Sequence, residues 1–218
     1  LNTVTFQDIQ SAAFSIAAYN ELLRTHVTDK DAKTFLEKQM DINKKIINSL
    51  NFAKNYQEMG VKPPSWQNVG QVFLLAISHL DFLGIKRNFH AENLEVYADP
   101  LLERVFFHLM QNVIRPGRDA TEVTITCIEK PDGLVLVIED NGAGIPPAEK
   151  HLVFDREYSK DFGLGFSLAR EVLSITGMSI RETGEMGRGI RFEIHIPKEG
   201  YRFGKAGRSA TPAGTTKP

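Results

Sequence analysis

Apolar and small residues recur at helical spacing over residues 1–27: Ile9, Ala12 and Ala13, Ile16, Tyr19, Leu22 and Leu23. That stripe predicts an amphipathic helix. Thr28-Asp29-Lys30-Asp31 interrupts it, and Thr28 or Asp29 is placed to cap a second helix. Residues 31–59 resume the spacing with Ala32, Phe35, Gln39, Ile42, Ile46, Leu50, Ala53 and Tyr56, close to a heptad repeat. Gly60 ends the run, and Pro63-Pro64 prevent a restart. Two helices joined by a short turn predict an antiparallel hairpin. A lone hairpin cannot bury both its faces. A homodimer through residues 1–60, forming a four-helix bundle, is therefore expected over a monomeric hairpin packed on the rest of the chain.

The pattern changes near Trp66, after a linker at 61–65. Residues 69–80 read as a helix, Gly84 turns the chain, and 85–89 and 94–98 read as strands. Asp99-Pro100 is a helix start, with Asp as cap and Pro at the first helical position. Leu101, Leu102, Val105, Phe106, Leu109, Met110 and Val113 supply its buried face up to Pro116-Gly117. Strands are expected at 121–129 and 133–139, joined by a turn at Pro131-Asp132-Gly133. A helix over 164–175, a strand at 178–182 and a strand at 191–196 ending at Pro197 complete the series. Helices mixed with hairpin-like strands predict an α/β sandwich over 66–200, a mixed sheet covered on one face by helices. Residues 201–218 are rich in Gly, Ser, Thr, Pro and Ala and read as a disordered tail.

Composition narrows the function classes only a little. The chain has 218 residues, 42% hydrophobic and 24% charged, with a formal net charge of -1. That balance suits a soluble fold and gives no general attraction to nucleic acid. The one cysteine, Cys127, lies in an alternating strand pattern and is expected to be a buried thiol. No internal disulfide is possible, which fits a reducing compartment. No window of 18 apolar residues and no signal peptide is visible.

Candidate chemistry gathers in residues 139–165. The apolar run Leu134-Val135-Leu136-Val137-Ile138 empties into Glu139-Asp140-Asn141-Gly142-Ala143-Gly144-Ile145-Pro146. A buried strand running into an acid and two glycines implies a loop whose backbone approaches something closely. Gly163-Leu164-Gly165 then opens a helical pattern, and free N–H groups at a helix start suit phosphate oxygens. The simplest ligand is a nucleotide, held at one end by Asp140 and at the other by the glycine turn.

These motifs together resemble the core of a sensor histidine kinase, within the wider Bergerat-fold ATPase group of Hsp90-type chaperones, type II topoisomerases and MutL-type repair proteins. His108-Leu109-Met110-Gln111-Asn112-Val113-Ile114-Arg115 is similar to the N box. Residues 140–146 match the first glycine box nearly letter for letter, and Leu152-Val153-Phe154 with Tyr158 sits where the F box belongs. Residues 163–170 resemble the second glycine box and 187–192 the final one. The hairpin resembles the family's dimerisation and phosphoacceptor domain.

The resemblance implies residue roles. Asn112 takes the place of the asparagine that reaches Mg²⁺ bridging the triphosphate of ATP, a neutral oxygen ligand for a hard ion. His108 stands where the family usually has another Asn, one turn earlier, either as a polar contact or as a structural histidine. Arg115 is expected to contact phosphate. Asp140 resembles the acceptor of the adenine amino hydrogen bond, which disfavours guanine. Gly142, Gly144 and Ile145 belong to the first glycine loop. Gly163, Leu164 and Gly165 belong to the turn closing over the phosphates. Asp161-Phe162 replaces the usual Gly-Thr there, and the lid over 147–162 is short.

The largest departure lies in the first helix. The family's phosphoaccepting histidine corresponds to residue 7, where this chain has Gln7. An amide nitrogen is not a usable nucleophile at neutral pH, whereas imidazole is. Asp8 stands where the family keeps an assisting acid, and Ser11 where it keeps Asn or Thr. A deliberate substitution, a degenerate kinase and a kinase acting on a histidine of another protein all fit Gln7. The family's partners would be a response-regulator receiver domain and an upstream sensor outside this sequence, with a cytoplasmic location. The rival reading is a non-catalytic, nucleotide-sensing or regulator-binding dimer. ATP hydrolysis of the chaperone type is disfavoured, because the nearest acid in the N-box helix, Glu103, lies over two turns before Asn112.

Overall fold

The computed structural model describes residues 3–115, 119–155 and 164–204. The first two elements are long helices, α1 (Thr3–His26) and α2 (Lys30–Glu58). Asp29 caps α2 by accepting a hydrogen bond from the Ala32 amide at 2.9 Å, one of the two caps expected. The helices form the anticipated hairpin, but its inner face differs from the expected stripe. Phe6, Ala13 and Leu36 are the buried apolar residues, together with Asn20 and Asn43. The Asn43 amide donates to the Ala13 carbonyl at 2.9 Å, joining the two helices. Ile9, Ile16, Tyr19, Leu22, Phe35, Ile42 and Ile46 face outward instead. A single hairpin has one seam, and this one uses positions seven apart in α1 (6, 13 and 20). The richer apolar stripe is left on the outside.

The rest is a layered α/β structure. In order, it comprises β1 (Ser65–Asn68), α3 (Val69–Ile77), β2 (Lys86–His90), β3 (Leu94–Ala98), α4 (Leu102–Val113), β4 (Glu122–Lys130), β5 (Gly133–Asp140), α5 (Gly165–Ser174), β6 (Ser179–Glu182), β7 (Arg191–Pro197) and β8 (Tyr201–Phe203). The main sheet has the order β2-β4-β5-β7-β6. β2 is parallel to β4, and the other pairs are antiparallel. The sheet is therefore mixed, and its inward residues (Val123, Ile125, Leu136, Ile138, Phe192, Ile194) pack with those of α3, α4 and α5 in one apolar cluster.

A second, three-stranded sheet, β1-β3-β8, was not anticipated. β1 is short and half exposed, so neither length nor alternation marks it. β8 corrects the expectation of a tail from residue 201: Tyr201–Phe203 pair with Leu94–Val96. Residues 205–218 lie outside the described residues. The Cys127 thiol is half-buried rather than buried, since its end of β4 lies near the sheet rim. The described residues contain no helix long and apolar enough to cross a membrane.

The start of α4 also differs in detail. Asp99 does not cap the helix itself, which begins at Leu102 with no side-chain cap. Its carboxylate instead accepts from the Leu101 amide at 2.8 Å and from the Gly60 amide at 3.0 Å. One buried acid thus closes the turn before α4 and ties down the residue that ends the hairpin.

Candidate functional site

β5 delivers Asp140 to the end of the sheet, as its alternation predicts. The carboxylate is buried, and its Oδ1 accepts hydrogen bonds from the Gly142 amide at 2.8 Å and the Ile190 amide at 3.1 Å. The Asp140 amide in turn donates to the Ile190 carbonyl at 2.9 Å. Asn141 anchors the loop rather than facing a ligand: its Oδ1 accepts from the Thr121 and Glu122 amides at 2.9 and 3.0 Å. Gly144 has φ +76°, and a Cβ there would lie 2.7 Å from the Glu185 carbonyl oxygen. Gly189 has φ +118°, and its Cβ would fall 1.8 Å from the Asp140 carbonyl oxygen. Only glycine satisfies both conditions. The first and last glycine motifs are thus packed backbone to backbone. Ile145 is fully buried and belongs to the core beneath the loop.

α4 carries two of the expected residues one turn apart. Asn112 is buried, and neither its Oδ1 nor its Nδ2 has a hydrogen-bond partner among the described residues. A buried amide left unpaired costs about 1–3 kcal/mol, so a side chain of this kind marks a place for a ligand. His108 lies against Gly165, where a Cβ would come within 2.5 Å of the imidazole ring. Burial first, and the Arg104 guanidinium second, push the His108 pKa down from 6.5 to about 4, against an opposing hydrogen bond with Gln111. The ring is therefore neutral near pH 7. It offers one donor and one acceptor and brings no charge.

α5 begins at Gly165 with Leu164 at its cap position and no side-chain cap. No acid lies in its first turn, so its N-terminal amides are suited to an anion. Phe154 of the expected F box packs 6.0 Å from Phe166 and 6.1 Å from Phe192, ring centre to ring centre. Tyr158, Asp161, Phe162 and Gly163 lie outside the described residues. Arg115 is exposed just past α4, beside a shallow depression that also contains Asp81 and Asp119. Gln7, Asp8 and Ser11 are exposed on α1, and no hydrogen bond among the described residues joins them to the sandwich.

The residues present fit a magnesium nucleotide. The described residues contain no cluster of three His, Cys, Asp or Glu that could cage a metal. Mg²⁺ held mostly by phosphate and water oxygens needs only one or two protein oxygens, and the Asn112 amide oxygen is of that kind.

Residues 98–200 match the model of the histidine kinase-, DNA gyrase B- and HSP90-like ATPase family. That segment is similar to an ATPase domain of this type. Domains of this family bind ATP with Mg²⁺. The matched segment is preceded here by the two helices α1 and α2, among other elements. Among curated proteins, the sensor protein SrrB of Staphylococcus aureus (strain NCTC 8325 / PS 47) is 31% identical over 129 residues, covering 54% of this chain and 22% of SrrB. The chain thus spans about a fifth of the length of the curated relatives it matches. Among solved structures, the mycobacterial sensor histidine kinase MprB aligns at TM-score 0.53 with 24% identity, over 62% of this chain and 97% of that one. The Acinetobacter baumannii histidine kinase AdeS aligns at 0.56 with 18% identity, over 85% and 94%. Full-length ShkA in complex with AMPPNP aligns at 0.61 with 17% identity, over 93% and 46%. The AdeS and ShkA likenesses, unlike that to MprB, cover enough of the chain to take in part of the helical hairpin.

Two features escaped the sequence reading. One is Ile190, whose amide fixes the Asp140 carboxylate; only the spacing of its flanking glycines hinted at it. The other is the pair of half-buried Lys150 and buried Glu182, 2.6 Å apart. Its signal was an acid at an inward position of β6, two residues after buried Ile180.

Proposed function

We propose that this chain is the catalytic core of a two-component sensor kinase, binding Mg·ATP in the ATPase domain and dimerising through residues 1–60. The observation that carries the reading is the buried, unpartnered Asn112 amide, one turn after a histidine that touches the start of α5. In this reading the sandwich takes in Ser65 and Tyr201–Phe203 beyond the expected 66–200, and the linker from the hairpin is shortened from 61–65 to 61–64.

Asp140 accepts the adenine amino hydrogen bond, with Gly142, Gly144 and Ile145 shaping the floor of the base pocket. Asn112 holds the metal through its amide oxygen. His108 hydrogen-bonds the nucleotide as a neutral ring, and Arg115 pairs with phosphate. Gly163, Leu164 and Gly165 present backbone amides to the phosphates. Magnesium would neutralise phosphate charge there; the chain's own part is to position and to exclude water. Magnesium titrations with ATP should give binding that is lost in Asn112→Ala and Asp140→Ala. Binding retained in both variants rules the site out.

The exposed apolar face of the hairpin supports the four-helix dimer. A receiver domain is the proposed partner, beside Gln7, Asp8 and Ser11. Gln7 favours a second reading, in which the dimer senses nucleotide or binds a regulator without autophosphorylation. Parent and Gln7→His would be incubated with γ-labelled ATP. Acid-labile label on Gln7→His alone identifies a kinase core lacking only its acceptor. No label on either, with intact ATP binding, selects the second reading.

A further inference from the structure

Glu182 is an acid on the inward face of a strand. It shares that face of β6 with Ile180, and its side chain is fully buried. A carboxylate in such a place persists only when its oxygens are satisfied. Glu182 Oε2 lies 2.6 Å from Lys150 Nζ. Its Oε1 accepts from the Gly184 amide at 2.9 Å and the Arg191 amide at 3.2 Å. Lys150 Nζ also donates to the Gly184 carbonyl.

The two amides held by Glu182 bracket the 183–190 loop. Residue 190 is the neighbour of Arg191, and its amide is the one that donates to Asp140. The same loop rests on the glycine turn, where the Gly187 amide donates to the Ala143 carbonyl at 2.8 Å. Lys150 comes from the turn segment just after Ile145, anchored by the Glu149 amide donating to the Pro146 carbonyl at 2.9 Å. The ion pair therefore closes a ring that runs from Asp140 through the glycine turn to Lys150, across to Glu182, and back through Arg191 and Ile190 to Asp140. A pair that served burial alone could be exchanged for apolar side chains at little cost in stability. This one also supplies the acceptor for two loop amides.

We propose that Lys150 and Glu182 are positioning residues for the base end of the nucleotide site, holding the Ile190 amide against the Asp140 carboxylate and so setting the preference for adenine over guanine. The proposal rests on the nucleotide-binding reading above. Neither side chain needs to touch the base. Both act through the backbone of residues 184–191.

The test compares the parent with Lys150→Met, Lys150→Arg and the double variant Lys150→Met/Glu182→Leu. ADP and GDP binding are measured by calorimetry, melting by calorimetric scan, and Ile190 amide exchange by NMR. Lys150→Met should weaken ADP binding about tenfold, the size expected when a buried partner is left unpaired, and narrow the ADP-to-GDP ratio. Lys150→Arg should restore both. The double variant should fold but melt below the parent, and should keep weak ADP binding and fast Ile190 exchange, because the Gly184 and Arg191 amides still lack their acceptor. Parental ADP affinity and selectivity in a folded double variant overturn the proposal alone. A double variant that does not fold makes the pair a folding element and also overturns it. A parent that does not bind ADP overturns the nucleotide reading and this proposal together.

Discussion

In the hairpin, Phe6, Ala13 and Leu36 are buried beside two asparagines; in the sandwich, one apolar cluster runs from Val69 to Ile196 and includes Phe106, Leu109 and Phe166. The contrast extends to polar groups. Among the described residues, Asn20 Nδ2 and Asn43 Oδ1 are buried in the hairpin without hydrogen-bond partners, whereas Asp140 and Glu182 in the sandwich are held by backbone amides. In the sandwich, Asn112 and the Thr176 hydroxyl lack such partners among the described residues, and Asn112 lies where a ligand is proposed. The sandwich thus completes its own apolar core. The hairpin leaves a whole apolar face outside, so its stability depends on what covers that face.

The largest test of this contrast is a core truncation. Phe106→Ala should destabilise the sandwich by about 3–5 kcal/mol in urea unfolding, because the ring is fully buried on α4. A loss below about 1 kcal/mol would mean that the cluster is looser than its packing shows.

Acid is the next probe. The His108 pKa is lowered from 6.5 to about 4. The folded state therefore binds fewer protons than the unfolded state between those values. The stabilisation is fully present above pH 6.5 and is lost as pH falls towards 4. Lowering pH from 7.5 to 4.5 should cost about 2 kcal/mol, and His108→Asn should remove that part of the slope. Identical pH profiles for parent and variant would show that His108 is not the titrating group.

Asn112→Leu separates stability from ligand binding. Removing an unpaired buried amide should raise unfolding free energy by about 1 kcal/mol while abolishing magnesium-dependent ATP binding. A stability loss instead would mean that the amide has a partner in the free protein.

The smallest effect on folding is expected in the hairpin. Ile42, 59% exposed, should change monomer stability by less than about 0.5 kcal/mol when replaced by Ala, yet weaken self-association seen by sedimentation. An unchanged association constant would place the dimer interface elsewhere.

Some of this was legible in the chain. β3 (Leu94–Ala98) was read to the residue, because its alternation is clean and its ends carry turn or capping residues. The α4 buried face followed from 3.6-residue spacing, and the glycine loop after Asp140 from an apolar run meeting small residues. β1 and β8 were not legible. They are four and three residues long, and both exist by pairing with β3. The hairpin seam was misplaced because two faces of the same helices carry apolar residues, and periodicity cannot rank them.

The sequence by itself determined the helices and the longer strands, where Asp140, Asn112 and the glycines would fall along them, and that Gln7 cannot act as a histidine does. Those are properties of local spacing and side-chain chemistry. Tertiary structure alone decided that Gly189 must lie against Asp140, that Ile190 fixes its carboxylate, that Glu182 finds Lys150, and that Asn112 stays buried without a partner among the described residues. Each of these joins residues more than thirty positions apart or depends on what surrounds one, and no local pattern encodes which distant groups the packed sheet and helices bring within hydrogen-bond reach.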